Sequence, residues 1–249
     1  MLVLLPPSES KTPRSRGKVY EPSSVSAPEL ADARATVIDA VATVSDSPDA
    51  ARVLGVSPNL GEEIARNTRL LTAPAVPVSA LYTGVLYDAL DLPSLDAAAS
   101  RRANRWLLVQ SALFGALRMK DKVPPYRLSM AVNLPDVGPL AGYWKPLLEE
   151  PMTAAAGKGL IVDCRSSTYA AAWTPSGQFA QRWVQIKVPG ATHMAKHTRG
   201  LVARAICELG LDPRRPHGLA DALADRFEVS LEEPAKPGKP WILSATARG

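Results

Sequence analysis

The chain reads as a mixed α/β fold with a central mixed sheet flanked by helices. Three observations predict it. Met1–Leu5 is a short, unbroken apolar run, the pattern of a strand buried on both faces, and Gly159–Cys164, with Leu160, Ile161 and Val162, reads as a second buried strand. The segments that alternate with such runs carry apolar residues at helical spacing, which supplies helices to cover a sheet. At 249 residues and 46% hydrophobic content, the chain has apolar side chains enough for one sizeable core. It is therefore read as a single compact domain over 1–249, with a helical hairpin subregion at about 48–72.

In order, Met1–Leu5 forms the first strand, and Pro6-Pro7 stops it because proline removes a ladder donor and fixes φ. Ser8, Glu9, Ser10 and Lys11 leave that strand end, the place where open α/β sheets present groups to ligands. Glu9 is thus a candidate general acid or base and Lys11 a candidate anion ligand. The alternative is a plain polar loop ahead of the Pro, Ser and Arg-rich segment to Pro28. Pro28–Val44 has Leu30, Val37, Ile38 and Val41 on one helical face. Ala51–Ala65 reads as helix, tight turn, helix. At Gly55-Val56-Ser57-Pro58, amides at a helix start would bind a phosphate, so Gly55 and Ser57 are candidate contacts beside the ordinary reading of a helical hairpin.

Ala75–Ala80 is short and β-compatible. Leu81–Tyr87 brings Tyr82 and Tyr87 together with small residues, as a cleft lining or as core residues with hydroxyls at the surface. Leu95–Arg105 is a helix with Arg101, Arg102 and Arg105 on one side, and Trp106–Leu113 is a buried strand or helix end. The stretch Leu113–Met130 follows, with Arg118, Lys120, Lys122 and Arg127 around Asp121 and with Pro124-Pro125 holding Tyr126 and Arg127 in a stiff turn. A guanidinium fork suits phosphate or carboxylate and a phenol can stack or donate, so this stretch is either an anion site or a solvated charged turn. Tyr143–Leu148 begins a helix carrying Trp144 and Lys145.

Gly159–Cys164 ends in Arg165-Ser166-Ser167-Thr168-Tyr169, a second polar cluster after a strand. A phosphatase-type loop is excluded there, because the arginine it needs would stand where Ala170 is. Trp183–Val188 is a further strand. In the helix Lys196–Leu209, Leu201, Val202, Ala205, Ile206 and Leu209 share one arc at about 100° per residue. Lys196, Arg199, Gly200, Ala203 and Arg204 share the other, with Gly200 and Ala203 small enough to admit a phosphate between Lys196, Arg199 and Arg204. His193 and His197 lack the third ligand a metal site needs, so no metal and no cofactor are expected. Leu219–Arg226 is helical, Phe227–Leu231 a strand, and Trp241–Leu243 an edge strand.

The charge balance, 29 Lys plus Arg against 24 Asp plus Glu, favours anionic partners without proving nucleic-acid binding. Cys164 and Cys207 sit in apolar surroundings with no metal or redox spacing and are read as reduced, buried thiols. The opening apolar run is too short for a signal peptide and no run approaches a membrane span, so a cytoplasmic protein without a membrane partner is expected.

In sequence order, Pro6-Pro7-Ser8-Glu9-Ser10-Lys11, Tyr82-Thr83-Gly84, Phe114-Gly115 through Pro125-Tyr126-Arg127-Leu128, Ser167-Thr168-Tyr169 and Lys196-His197-Thr198-Arg199-Gly200 resemble the bacterial peroxide-stress protein YaaA family over nearly the whole chain. The resemblance implies a positively charged cleft, helix-hairpin-helix-like DNA binding and a part in limiting iron-driven oxidative damage. The chain departs from it at Ser129 and Thr168, where the family usually carries acids. Two functions are weighed. The first is a DNA-binding protein of the peroxide response that contacts double-stranded or distorted DNA through Lys11, Arg127, Tyr169, Lys196, Arg199 and Arg204, with Tyr126 stacking on an exposed base. The second is an enzyme acting on a nucleotide or other phosphorylated small molecule, with Glu9 as acid or base. Cationic groups that converge on a pocket with Glu9 favour the second, and groups spread along a duplex-wide groove favour the first. A basic face for an acidic protein partner is a third, blander reading.

Overall fold

All the side chains of Leu2–Leu5 (β1) are apolar and buried, and a strand without a polar face belongs in the interior of a sheet. The computed structural model, which describes residues 1–189, 192–210 and 212–248, places β1 near the middle of a seven-stranded sheet. On one side β1 pairs in parallel with Leu107–Ser111 (β2), which turns back into the antiparallel Gly115–Arg118 (β3). On the other side it pairs in parallel with Ile161–Asp163 (β4), and β4 in turn with Trp183–Lys187 (β5). Beyond β5 lie Trp241–Ala247 (β7), parallel to it, and Phe227–Glu232 (β6), antiparallel to β7. The expectation that Trp241–Leu243 forms the edge is corrected. That strand is longer and second from the edge, while β6 is outermost and alternates buried Phe227 with exposed Glu228 as a strand with one wet face does.

From β1 the chain crosses to β2, and from β4 it crosses the opposite way to β5. Loops leaving the carboxyl ends of β1 and β4 therefore diverge, and the crevice between them is where a doubly wound sheet receives ligands.

The helices cover this sheet. Ala31–Ser45 (α1) buries Val37, Ile38, Val41 and Val44, and also Arg34, whose guanidinium donates to the carbonyls of Ser26, Phe114 and Ala116 and so braces the β2–β3 turn. Ala50–Leu54 (α2) and Gly61–Ala65 (α3) are two short helices, with a single 3-10 turn at Pro58–Leu60 between them. Val78–Leu81 (α4) and Val85–Leu90 (α5) flank Tyr82-Thr83-Gly84. Ala97–Trp106 (α6) starts where Asp96 accepts the Ala99 amide at 2.7 Å, and it feeds β2 directly. Leu140–Ala156 (α7) buries Trp144, whose indole donates to the Ala112 carbonyl at 2.8 Å. Ser167–Ala170 (α8) and Gly177–Ala180 (α9) link β4 to β5, and Thr192–Leu209 (α10) and Pro216–Leu223 (α11) precede β6. Among the described residues no helix is long and apolar enough to cross a membrane.

Within Leu113–Met130, Asp121 is not the centre of a cation cluster. It is buried, with one oxygen accepting the Ser26 amide and hydroxyl and the other the Arg118 amide, so it ties a loop rather than balancing side-chain charges. Lys120 and Lys122 are exposed.

Candidate functional site

A cavity of about 400 Å³ opens at the carboxyl ends of β1 and β4. Pro6–Ser10 line it from β1, Ser166 and Tyr169 from β4, Gly84–Tyr87 from the start of α5, and Lys196 and Arg199 from α10.

The walls are stitched by main-chain contacts that the sequence does not announce. Thr12 donates to the Leu81 carbonyl at 2.9 Å, Thr83 donates to the Ser10 carbonyl at 3.2 Å, and Lys11 and Tyr82 form an antiparallel bridge. The Tyr87 hydroxyl donates to the Pro6 carbonyl at 2.7 Å, fastening α5 to the β1 loop. Gly84 has φ 93° and a Cβ there would stand 3.3 Å from the Ser8 hydroxyl, so the conformation and the close approach both suit glycine.

Lys11 is buried, and its Nζ donates to the Ser8 carbonyl at 2.7 Å while lying 4.1 Å from the centre of the Tyr126 ring and 5.6 Å from that of Tyr82. Burial pushes its pKa down to about 7; the Glu9 charge opposes this, and the Arg127 and Arg66 charges add to it. The Tyr126 hydroxyl is 2.7 Å from that of Ser111 and 3.0 Å from that of Tyr82, and its ring meets Phe114 edge-on. With 2% of its surface exposed, Tyr126 has no face to offer a nucleic-acid base, which corrects the stacking role expected for it. Lys11 is likewise too enclosed to touch the backbone of a duplex.

Arg127 does reach the cleft loop, pairing with Glu9 at 3.2 Å. Its main chain is held from both sides by Asn67, a fully buried residue that accepts the Arg127 amide and donates to its carbonyl, each at 2.8 Å. Arg199 spends its Nε on the Ile186 carbonyl at 3.3 Å, and Lys196 is exposed. Neither has a carboxylate partner among the described residues. The ring of Tyr169 lines the cavity and its buried hydroxyl makes no hydrogen bond, with Ser129 and the Met130 backbone as its polar neighbours; burial raises its pKa.

Arg204 lies elsewhere. It donates to the Leu90 and Asp91 carbonyls at 3.2 and 2.9 Å and pairs with Asp91 and Glu208, so it closes the end of α5 rather than meeting an anion in the cleft. The small residues on that arc serve the same packing. Gly200 and Ala203 are buried, and a Cβ on Gly200 would fall 2.2 Å from the Leu86 carbonyl oxygen, so the glycine admits the backbone of α5 and not a phosphate. At the hairpin, Gly55 adopts φ 64° and its amide donates to the Arg52 carbonyl at 3.2 Å, while the Ser57 hydroxyl accepts the Asn59 amide at 3.3 Å. The Gly55 amide is therefore not free for a phosphate.

Behind the β4 wall, Arg165 grips Asp163 through two bonds of 2.8 and 2.7 Å, both side chains wholly buried. Asp163 also accepts the Arg165 amide and the Trp183 indole, and Arg165 donates to the Trp173 carbonyl and to Gln110. This pair fixes the turn that presents Ser166 and Tyr169. Cys164 beside it is a free, buried thiol that burial pushes up to about 12, which removes it from thiolate chemistry. Cys207 is also free and buried.

Against this geometry stand the comparisons. A family model described as peroxide stress protein YaaA matches residues 1–233. A UPF0246 protein of Streptomyces coelicolor is 48% identical, covering 98% of this chain and 97% of its own. UPF0246 proteins of Corynebacterium efficiens and Corynebacterium glutamicum are 39% and 32% identical over 83% and 90% of this chain, and over 84% and 91% of theirs.

Proposed function

The chain belongs to the peroxide stress protein YaaA family, and from that premise we propose that it works by binding a nucleotide or other phosphorylated small molecule in the cleft between β1 and β4. The observation that carries this reading is convergence. Lys196 and Arg199 share one cavity with Glu9, and that cavity lies at the switch point of the sheet. Lys196 and Arg199 hold the anionic end, Pro6, Pro7, Val85 and Leu86 supply an apolar wall for the rest of the ligand, and Glu9, oriented by Arg127, is the acid or base.

Calorimetric titration with AMP, ADP, ATP and ribose 5-phosphate tests it. The expected result is binding of at least one of them, weakened tenfold or more by Arg199→Glu, a loss of about 1.4 kcal/mol or greater. Ligand binding indifferent to that change defeats the assignment.

A second reading, a DNA-binding protector that limits iron-driven damage, has one specific support. Residues 12–19 are exposed throughout and carry Arg14, Arg16 and Lys18, none with an ion-pair partner among the described residues. It predicts duplex binding that falls steeply with salt and survives Arg199→Glu but not the triple change of Arg14, Arg16 and Lys18 to Glu. Duplex binding that depends on Arg199 instead would place DNA in the cleft.

A further inference from the structure

Lys11 is placed as no surface lysine is. It leaves β1 in the loop whose preceding residues, Pro6–Ser10, all line the cleft, and its main chain is locked against Tyr82. No carboxylate among the described residues lies within ion-pair distance of its Nζ, and Glu9, the acid whose charge acts on the amine, pairs with Arg127. The groups that face the amine are the Tyr126 and Tyr82 rings, whose phenols burial keeps protonated, the Ser8 carbonyl, and the charges of Glu9, Arg127 and Arg66. The Tyr126 and Tyr82 rings and the Ser8 carbonyl favour the ammonium, but burial without a paired counter-ion and the charges of Arg127 and Arg66 oppose it, and a desolvated amine near a cation is how lysine nucleophiles are activated. The pKa of about 7 agrees with that geometry. Ser8, whose carbonyl accepts the amine, and Glu9 line the cavity and are half-buried and exposed respectively, whereas Lys11 is not itself among the lining residues, so reaction requires its side chain to turn from the Ser8 carbonyl into the cavity.

We propose that Lys11 is the reactive amine of this cleft, a nucleophile that condenses with the carbonyl carbon of an anionic aldehyde or ketone whose phosphate or carboxylate is held by Lys196 and Arg199. The proposal rests on the reading of the cleft as a small-molecule site and narrows the ligand to one bearing a carbonyl group. The Nζ lone pair forms the C–N bond, and the carbonyl oxygen departs as water with the two hydrogens of the amine. A C=N bond replaces the C=O bond with no change in oxidation state. Glu9 is the group placed to carry the proton between nitrogen and oxygen.

Pyridoxal 5′-phosphate, which carries both an aldehyde and a phosphate, is the probe. The full-length protein is treated with it across a pH series, reduced with borohydride, and mapped by peptide mass. The expected result is a label concentrated on Lys11, with a rate that rises through a midpoint near pH 7, slows with added inorganic phosphate, and drops with Lys196→Met. In Lys11→Arg the label at this position disappears while the exposed lysines keep their background labelling. Labelling confined to exposed lysines such as Lys120, Lys122 and Lys158, or a midpoint for Lys11 near the ordinary lysine value of about 10, overturns the proposal. The wild-type map decides even if the variants fold poorly. Nucleotide titrations on the same protein separate the two readings: nucleotide binding with Lys11 unlabelled removes only the amine chemistry. Lys11 labelling that phosphate does not slow, without nucleotide binding, removes the anion-binding cleft and with it this proposal.

Discussion

Gly200→Ala adds a single methyl group, and the structure gives it nowhere to go. Its Cβ would lie 2.2 Å from the Leu86 carbonyl oxygen and 2.8 Å from the Ala89 Cβ. Carbon–oxygen contacts settle no closer than about 3.3 Å, so α5 must retreat by roughly 1 Å, and a backbone carbonyl cannot rotate aside as a side chain can. Alanine is favoured over glycine inside a helix by about 1 kcal/mol, which opposes the clash. Overpacking of a close-packed interface costs about 1–3 kcal/mol, and the upper part of that range applies where backbone has to move. The net expectation is a loss of about 1–2 kcal/mol, which at roughly 2–4 °C per kcal/mol for a chain of this size lowers Tm by about 2–8 °C. Scanning calorimetry reads this directly. Gly142→Ala is the control: this glycine lies in α7, and no atom of a neighbouring element comes within 4 Å of where its Cβ would stand, so its Tm should hold or rise. Because Leu86 and Tyr87 line the cleft, Gly200→Ala should also weaken ligand binding. A Gly200→Ala protein at least as stable as its parent would refute the close contact between α5 and α10 and the placement of the cleft wall that depends on it.

Other expectations follow from the buried charges. Arg165→Met leaves Asp163 buried without its partner and should cost about 3–5 kcal/mol in urea unfolding, with Asp163→Asn in the same chain recovering part of it; an unchanged midpoint for the single variant would sink the role given to the pair. Trp144→Phe strands the Ala112 carbonyl and should cost about 1–3 kcal/mol, read by the same unfolding curve. Lys11 has a lower pKa folded, about 7, than its unfolded 10.5, so between those values the unfolded chain binds more protons and stability rises with pH, the penalty being full below pH 7. Any gain in stability of Lys11→Met over the parent should therefore shrink steadily from pH 7 to pH 10; parallel stability curves would mean that the amine does not titrate in this window.

The sheet was legible because its strands are compositionally unmistakable. Leu2–Leu5 and Leu160–Val162 are buried throughout, and short apolar runs of this kind have no other comfortable place in a fold of this size. The edge was misread at Trp241 because composition does not say which neighbour a strand will find. In the site, Glu9 and Lys196 were visible as polar groups after a strand and on a helix, and the structure does bring them together with Arg199 and Tyr169. What remained hidden was which face of α10 meets α5. The arcs of that helix were read as core and cationic, but Gly200 and Ala203 belong to a second packing seam, and glycine at a close approach gives the same signal as glycine at a phosphate. Asn67, Ser111 and Tyr87 each bond a main-chain or hydroxyl group distant in sequence, and no local period or spacing encodes such contacts.

Several features that cost stability stand close to the cavity. A lysine without a paired counter-ion, a wholly buried Asp163–Arg165 pair, an unpartnered Tyr169 hydroxyl and a glycine held at φ 93° all stand at the carboxyl ends of β1 and β4 or in the segments against them. The lysine, the ion pair and the hydroxyl are each unfavourable or at best neutral for stability alone, since apolar side chains of similar volume would satisfy the same space without desolvating a charge or orphaning a hydroxyl, whereas the glycine takes its φ without strain. Costs of the same kind stand away from the cavity lining too, since Arg34 Nη1, the Tyr20 hydroxyl and Gln110 Nε2 are buried without a hydrogen-bond partner. Those at the carboxyl ends of β1 and β4 adjoin the cavity lined by Glu9, Lys196 and Arg199, so a ligand that paired with the Tyr169 hydroxyl there would remove one of them.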